Sequence, residues 1–235
     1  MREFLKDFYQ RIEDINKYFD FASQIVELES YKSDSITLPN HTNCIIDSDL
    51  QKVLKANCYL LMYNLVESSI RNGIVAIYDA IHDEKLSYKQ VNPKIQEIWL
   101  MNRSENLLQT SINRKTIYKN LKEFLEYAPD QLLISLEEDK LPISGNLDYS
   151  KIEELTKQYG VFGRSRSDKK TIEYVLKHIT ERRNKLAHGS ISFREAAQDK
   201  LMIDLINYKE ELINYLEEVL KNIDEYIDQK KYKHQ

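Results

Sequence analysis

One short run of the chain combines the side chains that acid–base chemistry on a phosphodiester needs. Residues 181–189 read Glu-Arg-Arg-Asn-Lys-Leu-Ala-His-Gly. Asn184 and His188 are four residues apart and would share one face of a helix. Arg183 is about 100° around the helix from Asn184, but its long side chain can reach the same groove. The run therefore places a permanent cation and an amide beside the one side chain that titrates near neutral pH.

These three side chains would suit cleavage of RNA without a metal. An imidazole can take the proton from a ribose 2′-hydroxyl or protonate the leaving oxygen, so His188 is a candidate general base or acid. A guanidinium binds phosphate oxygens in pairs and stabilises developing charge, which suits Arg183. Asn184 can position either group. The alternative is structural, because basic residues and His followed by Gly are also common where a helix ends.

A second polar set lies in the most apolar segment of the chain. Asn64, Glu67 and Arg71 are spaced so that they would share one helix face. Burying Glu and Arg is costly unless the two are paired or serve a site. Two interpretations therefore stay open: an internal Glu67–Arg71 ion pair, or a Glu67 that orients Arg183 or His188.

Positive charge gathers around the first run although the whole chain is acidic. The protein has 34 Lys and Arg against 38 Asp and Glu, a formal net charge of -4. Residues 161–190 alone hold eight Lys and Arg against three Asp and Glu, a net charge of +5. This segregation favours contact with a phosphate backbone, whereas a solvated helix face is the alternative. The residues predicted to contact RNA are Arg164, Arg166, Lys169, Arg182 and Lys185.

The elements that must position these residues are predicted to be helices. Five Gly and four Pro in 235 residues leave few turns, which excludes a sandwich or barrel of short strands. Apolar spacing predicts one helix over about 3–30, a central helix from Asp47 or Ser48 to about 81, and two shorter helices within 92–127. Polar residues 33–42 read as a loop, and 131–146 as a loop or short hairpin.

The C-terminal half is predicted to hold three more helices. One begins at Asp148 and ends at Gly160, and another is capped by Ser167 or Asp168 and ends at His188 and Gly189. The last begins at Ser192, because Ser192 and Glu195 have the spacing of a capping box. With no internal repeat and no long linker, we expect one all-α domain over 1–235.

Composition also indicates where the protein acts. Cys44 and Cys58 have neither a CxxC spacing nor paired His ligands, so no disulfide framework or zinc site is predicted and a reducing compartment fits. The charged N-terminus has no signal-peptide pattern, and no apolar stretch approaches the ~18 residues of a membrane span. We expect a soluble cytoplasmic protein without a membrane partner, and no motif predicts a metal or cofactor.

The pattern Arg183-Asn184-x-x-x-His188, near the end of one helix and before a long last helix, resembles the signature of HEPN-domain ribonucleases. The runs 183–193 and 61–71 are similar to the MAE_28990-type branch of HEPN proteins, and the resemblance covers most of the chain. It implies an all-α homodimer whose facing motifs cleave RNA in bacterial defence or toxin–antitoxin systems. The implied products are a 2′,3′-cyclic phosphate and a 5′-hydroxyl, formed without a metal.

The resemblance also implies roles for individual residues. Arg183 and His188 would be catalytic and Asn184 would position them, with Glu67 from the earlier helix in support. Asn64 and Arg71, on the same predicted helix face as Glu67, are counted as supporting residues from their spacing alone. The expected partners are RNA, a second copy of the chain, and a cognate antitoxin or second defence-system subunit. Toxins that are neutralised by nucleotidylation have a Tyr where this chain has Ser190, so that control is not expected. The alternative is a non-catalytic HEPN partner or helical scaffold that binds a nuclease or RNA.

Overall fold

The computed structural model describes residues 1–27, 35–37, 39–108, 133–143, 145–163 and 167–234, and for 27 and 103–108 the backbone alone. Most of these residues are helical, which confirms the all-α prediction. The helices and strands, in chain order, are α1 (Glu3–Glu27), β1 (Ser35–Thr37), β2 (Asn43–Ile45), α2 (Ser48–Asp83), α3 (Pro93–Leu108), α4 (Tyr149–Tyr159), α5 (Lys169–Ala187), α6 (Phe193–Ala196) and α7 (Met202–Asp228). Short 3-10 turns lie at Tyr88–Gln90 and Glu138–Lys140.

Three helices begin where an Asp side chain satisfies a free backbone N–H of the first turn. Asp47 accepts a hydrogen bond from the Leu50 N–H at 2.8 Å, ahead of α2. Asp148 accepts one from Lys151 at 2.9 Å ahead of α4, and Asp168 one from Thr171 at 2.9 Å ahead of α5. Such N-caps stabilise a helix by about 1 kcal/mol each. These starts confirm the predicted caps of α2, α4 and α5.

The two strands lie outside residues 131–146, predicted to be a loop or a short hairpin. β1 and β2 pair antiparallel with Ile36 opposite Cys44. β1 lies within residues 33–42, predicted to be a loop, and β2 follows directly after them. Strands of three residues are too short to show alternating hydrophobicity, so the sequence pattern missed them. Within 133–143 and 145–146, by contrast, the backbone forms no strand, as expected for a loop. It makes the 3-10 turn and an isolated antiparallel bridge between Leu133 and Ser87.

The last helix begins later than predicted. Ser192 and Glu195 do form a capping box, but it caps α6, a helix of four residues. The residues after α6 are not helical, and α7 begins only at Met202. At this start the Asp204 carboxylate accepts a hydrogen bond from the Leu201 N–H at 2.9 Å. This second cap explains the later start at Met202.

Residues 28–34, 109–132 and 164–166 lie outside the described residues, and so do the predictions that fall on them. These are the end of the first helix beyond Glu27, the second helix of the 92–127 pair, and the loop positions Arg164 and Arg166.

The chain divides into two compact units. The first comprises Met1–Ser69, Ser144–Lys151 and Ser165–Glu218, and the second Ile70–Ile143, Ile152–Arg164 and Val219–Gln235. The first has a core of fully buried apolar side chains that includes Phe8, Phe19, Met62, Leu65, Ile179 and Leu212. The core of the second includes Ile74, Ile77, Ile95, Tyr159, Leu220 and Ile223. That the chain forms one domain over 1–235 stays a prediction.

None of the helices in the described parts of the chain has an apolar stretch long enough to cross a bilayer.

Candidate active site

The candidate site lies in the first unit, at the C-terminal end of α5. The buried face of this helix is formed by Ile172, Val175, Leu176, Ile179, Thr180 and Leu186. Burial of this face fixes the rotation of the helix, and its last turn then presents Arg183 and Asn184 half-buried and His188 exposed. Arg183, Asn184 and His188 thus occupy the last turn, as the sequence predicts.

The end of α5 is shaped by Gly189. His188 is the C-cap, and Gly189 follows in the left-handed region at φ 65°. The Gly189 N–H donates to the Leu186 carbonyl at 3.1 Å, and the Ser190 N–H donates to the Lys185 carbonyl at 2.9 Å. These two bonds form a Schellman motif, which satisfies carbonyls at the helix end. The chain therefore turns away sharply after His188. Among the described residues, no side-chain hydrogen bond holds its imidazole.

The Arg183 guanidinium is held on four sides. Nη1 donates to the Gly145 carbonyl oxygen and to Asn184 Oδ1, both at 2.9 Å. Nη2 lies 3.5 Å from Glu67 Oε2. The guanidinium carbon is 4.0 Å from the centroid of the Tyr63 ring, which gives a cation–π contact. The cation is therefore fixed before any ligand arrives.

Tyr63 is itself fixed through its hydroxyl group. Its side chain is buried, and its hydroxyl oxygen accepts a hydrogen bond from the Leu147 N–H at 3.1 Å. The Leu147 carbonyl accepts in turn from Thr180 Oγ1 of α5 at 3.2 Å. Burial raises the pKa of the Tyr63 phenol, so the ring beneath Arg183 is neutral at physiological pH.

The segment 145–147 holds both polar residues of the last turn. A Cβ atom on residue 145 would lie 2.7 Å from Arg183 Nη1, so a side chain at this position would displace the guanidinium from its observed place. Asn146 Oδ1 accepts a hydrogen bond from Asn184 Nδ2. Sequence reasoning missed both residues, although an adjacent Gly and Asn in a chain with five glycines was a signal.

One comparison with known protein families gives a match. A family model described as HEPN_MAE_28990-like HEPN matches residues 2–232, nearly the whole chain. The chain belongs to this HEPN family. No curated protein and no solved structure matches the chain. The helical fold expected of the HEPN resemblance is confirmed.

The polar residues of α2 in this HEPN chain have different partners. Glu67 contacts Arg183. This contact is the one expected if Glu67 orients Arg183 rather than pairing with Arg71. Arg71 falls in the second unit, and none of the ion pairs between described residues includes it. Asn64 accepts a hydrogen bond at 3.1 Å from Nη1 of Arg11, whose Nε pairs with Asp7 at 2.7 Å. The structure thus brings Glu67 to Arg183, whereas Asn64 contacts Arg11 instead.

The basic residues predicted to contact RNA differ in their availability. Arg182 donates to Asp199 at 2.8 Å, which neutralises its charge locally. Lys169 lies 3.6 Å from Glu173 and over the ring of Tyr149. Lys185 is exposed and has no ion pair among the described residues. Among the predicted RNA contacts that the structure describes, Lys185 is therefore the one whose charge is least compensated.

Metal ligands are not clustered in the described part of the HEPN chain. No group of three or more His, Cys, Asp or Glu side chains lies close enough there to hold an ion. The groups present at the site are a fixed guanidinium, an amide and an exposed imidazole, which can bind an anion and exchange a proton.

Proposed function

We propose that this HEPN protein is an endoribonuclease that acts on RNA by attack of a ribose 2′-hydroxyl on the adjacent phosphate. The proposal rests on one observation above all: a preorganised Arg183 guanidinium sits in the helical turn that ends in an exposed His188. The attacking oxygen loses its proton, and the 5′-oxygen of the next nucleotide leaves with one. The products would be a 2′,3′-cyclic phosphate and a 5′-hydroxyl end.

Each side chain has a role that its surroundings support. His188 exchanges the protons, because an exposed imidazole can reach either oxygen. Arg183 stabilises the charge that develops on the phosphate, and a cation already held in place loses little free energy to reorganisation. Its side chain is 26% exposed, so a phosphate can reach it. Asn184 and Glu67 position the guanidinium.

The assembly and setting belong to the same proposal. The HEPN resemblance supports a cytoplasmic homodimer that brings two copies of the Arg183–His188 site together and takes part in bacterial defence or toxin–antitoxin biology. A cognate antitoxin or second subunit would restrain or direct the enzyme. Light scattering of the purified protein should give twice the 27.9 kDa chain mass, and a monomer with full activity would contradict the facing-site arrangement.

Cleavage of total RNA in excess chelator tests the reaction. The wild-type protein should cut, and mapping should find 2′,3′-cyclic phosphate and 5′-hydroxyl ends. His188→Ala should lower the rate by about 10²- to 10⁴-fold, the usual contribution of a positioned acid–base group. Arg183→Ala should lower it by about 10²- to 10³-fold, the usual cost of losing a donor to the developing charge. His82→Ala, an exposed histidine near the end of α2, is the matched control and should cut normally. Equal cleavage by all four proteins would overturn the proposal.

A second candidate is a non-catalytic HEPN partner that binds RNA or a nuclease. The observation that favours it is that both terminal nitrogens of Arg183 already contact protein acceptors, as in a purely structural arginine. In that case the wild-type protein would bind RNA without shortening it, and Arg183→Ala would lower stability without an activity to lose.

A further inference from the structure

An exposed aromatic ring on α5 is supported from beneath by two other rings. Tyr174 is 54% exposed. Its ring stacks on His178, with centroids 5.9 Å apart and planes inclined by 20°. The Tyr208 ring packs edge-on against both, with its centroid 6.1 Å from that of Tyr174 and 5.7 Å from that of His178. An exposed aromatic face that its neighbours hold in one orientation offers a surface on which a planar group can stack.

A cation completes this surface. Lys200 Nζ lies 5.8 Å from the centroid of Tyr174 and 5.3 Å from that of Tyr208. It also donates to the Tyr174 hydroxyl at 3.4 Å, while its own carbonyl accepts from Lys55 Nζ at 2.7 Å. We call Tyr174, His178, Tyr208 and Lys200 the Tyr174 platform. It presents one ring face with one ammonium at its edge.

The charge of the platform comes from Lys200. Burial, with Lys200 and Arg182 nearby, lowers the pKa of His178, so its ring is neutral at physiological pH. Within the platform, Lys200 is therefore the group that attracts a phosphate.

The platform and His188 lie along the same side of α5. Tyr174 precedes His188 by 14 residues, which is about 21 Å along a helix and about 40° around it. Lys177, Glu181 and Lys185 are exposed on the surface between them. These three side chains carry a net positive charge, although Lys177 and Glu181 pair at 3.9 Å. A polyanion could therefore follow this face from the platform to the histidine.

We propose that the Tyr174 platform is a base-stacking subsite for single-stranded RNA, an inference that rests on the proposed ribonuclease function. Any base can stack on an exposed aromatic face, and a neighbouring ammonium neutralises the adjoining phosphate. A strand held there by one base would run along α5, and a phosphate a few nucleotides away would lie at Arg183 and His188. A double-stranded RNA would not bind this way, because its bases are already stacked within the duplex.

Binding of a fluorescent single-stranded oligoribonucleotide tests the platform, in a His188→Ala background that leaves the probe uncut. Tyr174→Ser should weaken binding about 5- to 100-fold, the usual effect of removing a stacking ring. Tyr174→Phe and Tyr174→Trp should restore it. Phe21→Ser is the matched control, because Phe21 is equally exposed at 54%, and it should bind like the parent.

Two further comparisons separate stacking from other effects. Lys200→Ala should reduce the slope of log affinity against log salt by about 0.7, the value for one contact with single-stranded RNA, whereas Tyr174→Ser should leave the slope unchanged. A probe without bases should bind the parent and Tyr174→Ser equally. With a duplex probe, too, Tyr174→Ser should bind as tightly as the parent.

The results distinguish the platform from the reaction. If Tyr174→Ser binds the single strand as tightly as the parent, the platform is wrong even when the wild-type protein cleaves RNA. If the wild-type protein does not cleave RNA but its binding of RNA depends on Tyr174, the proposed ribonuclease function is wrong and the proposed stacking subsite is supported. Weaker binding by Tyr174→Phe and Tyr174→Trp as well would overturn stacking, because both keep a ring.

Discussion

The carboxylate of Glu67 and the guanidinium of Arg183 connect α2 to the last turn of α5 across 116 residues of sequence, with 3.5 Å between Oε2 and Nη2. This distance is at the long end for a hydrogen bond, and both side chains are partly exposed, 31% and 26% respectively. An ion pair of this kind contributes at most about 1 kcal/mol. Its contribution to stability is therefore small, and we propose that it orients the guanidinium, which the Gly145 carbonyl and the Tyr63 ring also contact.

Glu67→Gln should lower kcat for RNA cleavage by about fivefold, the equivalent of about 1 kcal/mol, because the amide keeps the shape but not the charge that orients Arg183. Steady-state kinetics on a short oligoribonucleotide would measure it. Asp49→Asn is the control, since it breaks a 2.8 Å ion pair with Arg194 in the same unit and should leave kcat unchanged. A wild-type kcat for Glu67→Gln would contradict the positioning role.

Gly145→Ala should reduce cleavage by at least tenfold with little change in the melting temperature. The new Cβ would lie 2.7 Å from Arg183 Nη1, and the flexible end of the arginine can move aside at little cost to the fold. A displacement of about 1 Å in a catalytic group can lower the rate as much as 10²-fold. In the Arg183→Ala background the same substitution should have no further effect, because additivity fails for residues that act through one contact. Full additivity would show that Gly145 acts elsewhere.

The sequence predicted the parts of this site that depend on local spacing. Neighbours within four residues set three of these parts: the cap of α5 at Asp168, the helical face shared by Asn184 and His188, and the glycine that ends α5. The partner of Glu67 stayed open because helical spacing fixes a face but not which distant side chain meets it. Tyr63 went unrecognised among 16 tyrosines, since nothing local marks a ring that will lie under a guanidinium. The approach of Gly145 likewise depends on a contact 38 residues away.

Gly189→Ala should lower the free energy of unfolding by about 1 kcal/mol. Nothing lies within 4 Å of a Cβ built at this position, so the cost comes from the backbone alone, which a side chain strains at φ 65°. Gly189→Asn should cost less, because Asn tolerates the left-handed region better. Urea denaturation measures both variants. Equal stability of wild type and Gly189→Ala would mean that the helix end rearranges without strain.

Tyr63→Phe should destabilise the protein by about 1–3 kcal/mol, because the buried N–H of Leu147 loses its acceptor. The ring under Arg183 remains, so cleavage should fall less than in Tyr63→Leu, which removes the cation–π contact as well. Comparing denaturation midpoints with cleavage rates for the two variants separates the hydroxyl from the ring. Equal cleavage by Phe and Leu variants would show that the ring face does not orient Arg183.

Glu84 in the second unit should make part of the protein's stability depend on acid pH. Lys233 and Tyr232, which donate to its carboxylate, lower the pKa of Glu84 from 4.5 to about 2. A carboxyl whose folded pKa is depressed stabilises the fold above its unfolded pKa, and this stabilisation is lost as pH falls towards the folded value. The stability difference between wild type and Glu84→Gln should therefore be largest at pH 7 and shrink by roughly half or more by pH 3. Urea denaturation at a series of pH values checks this, and Lys233→Met should weaken the same dependence. A difference that stays constant from pH 7 to pH 3 would show that the carboxylate gains nothing from these partners.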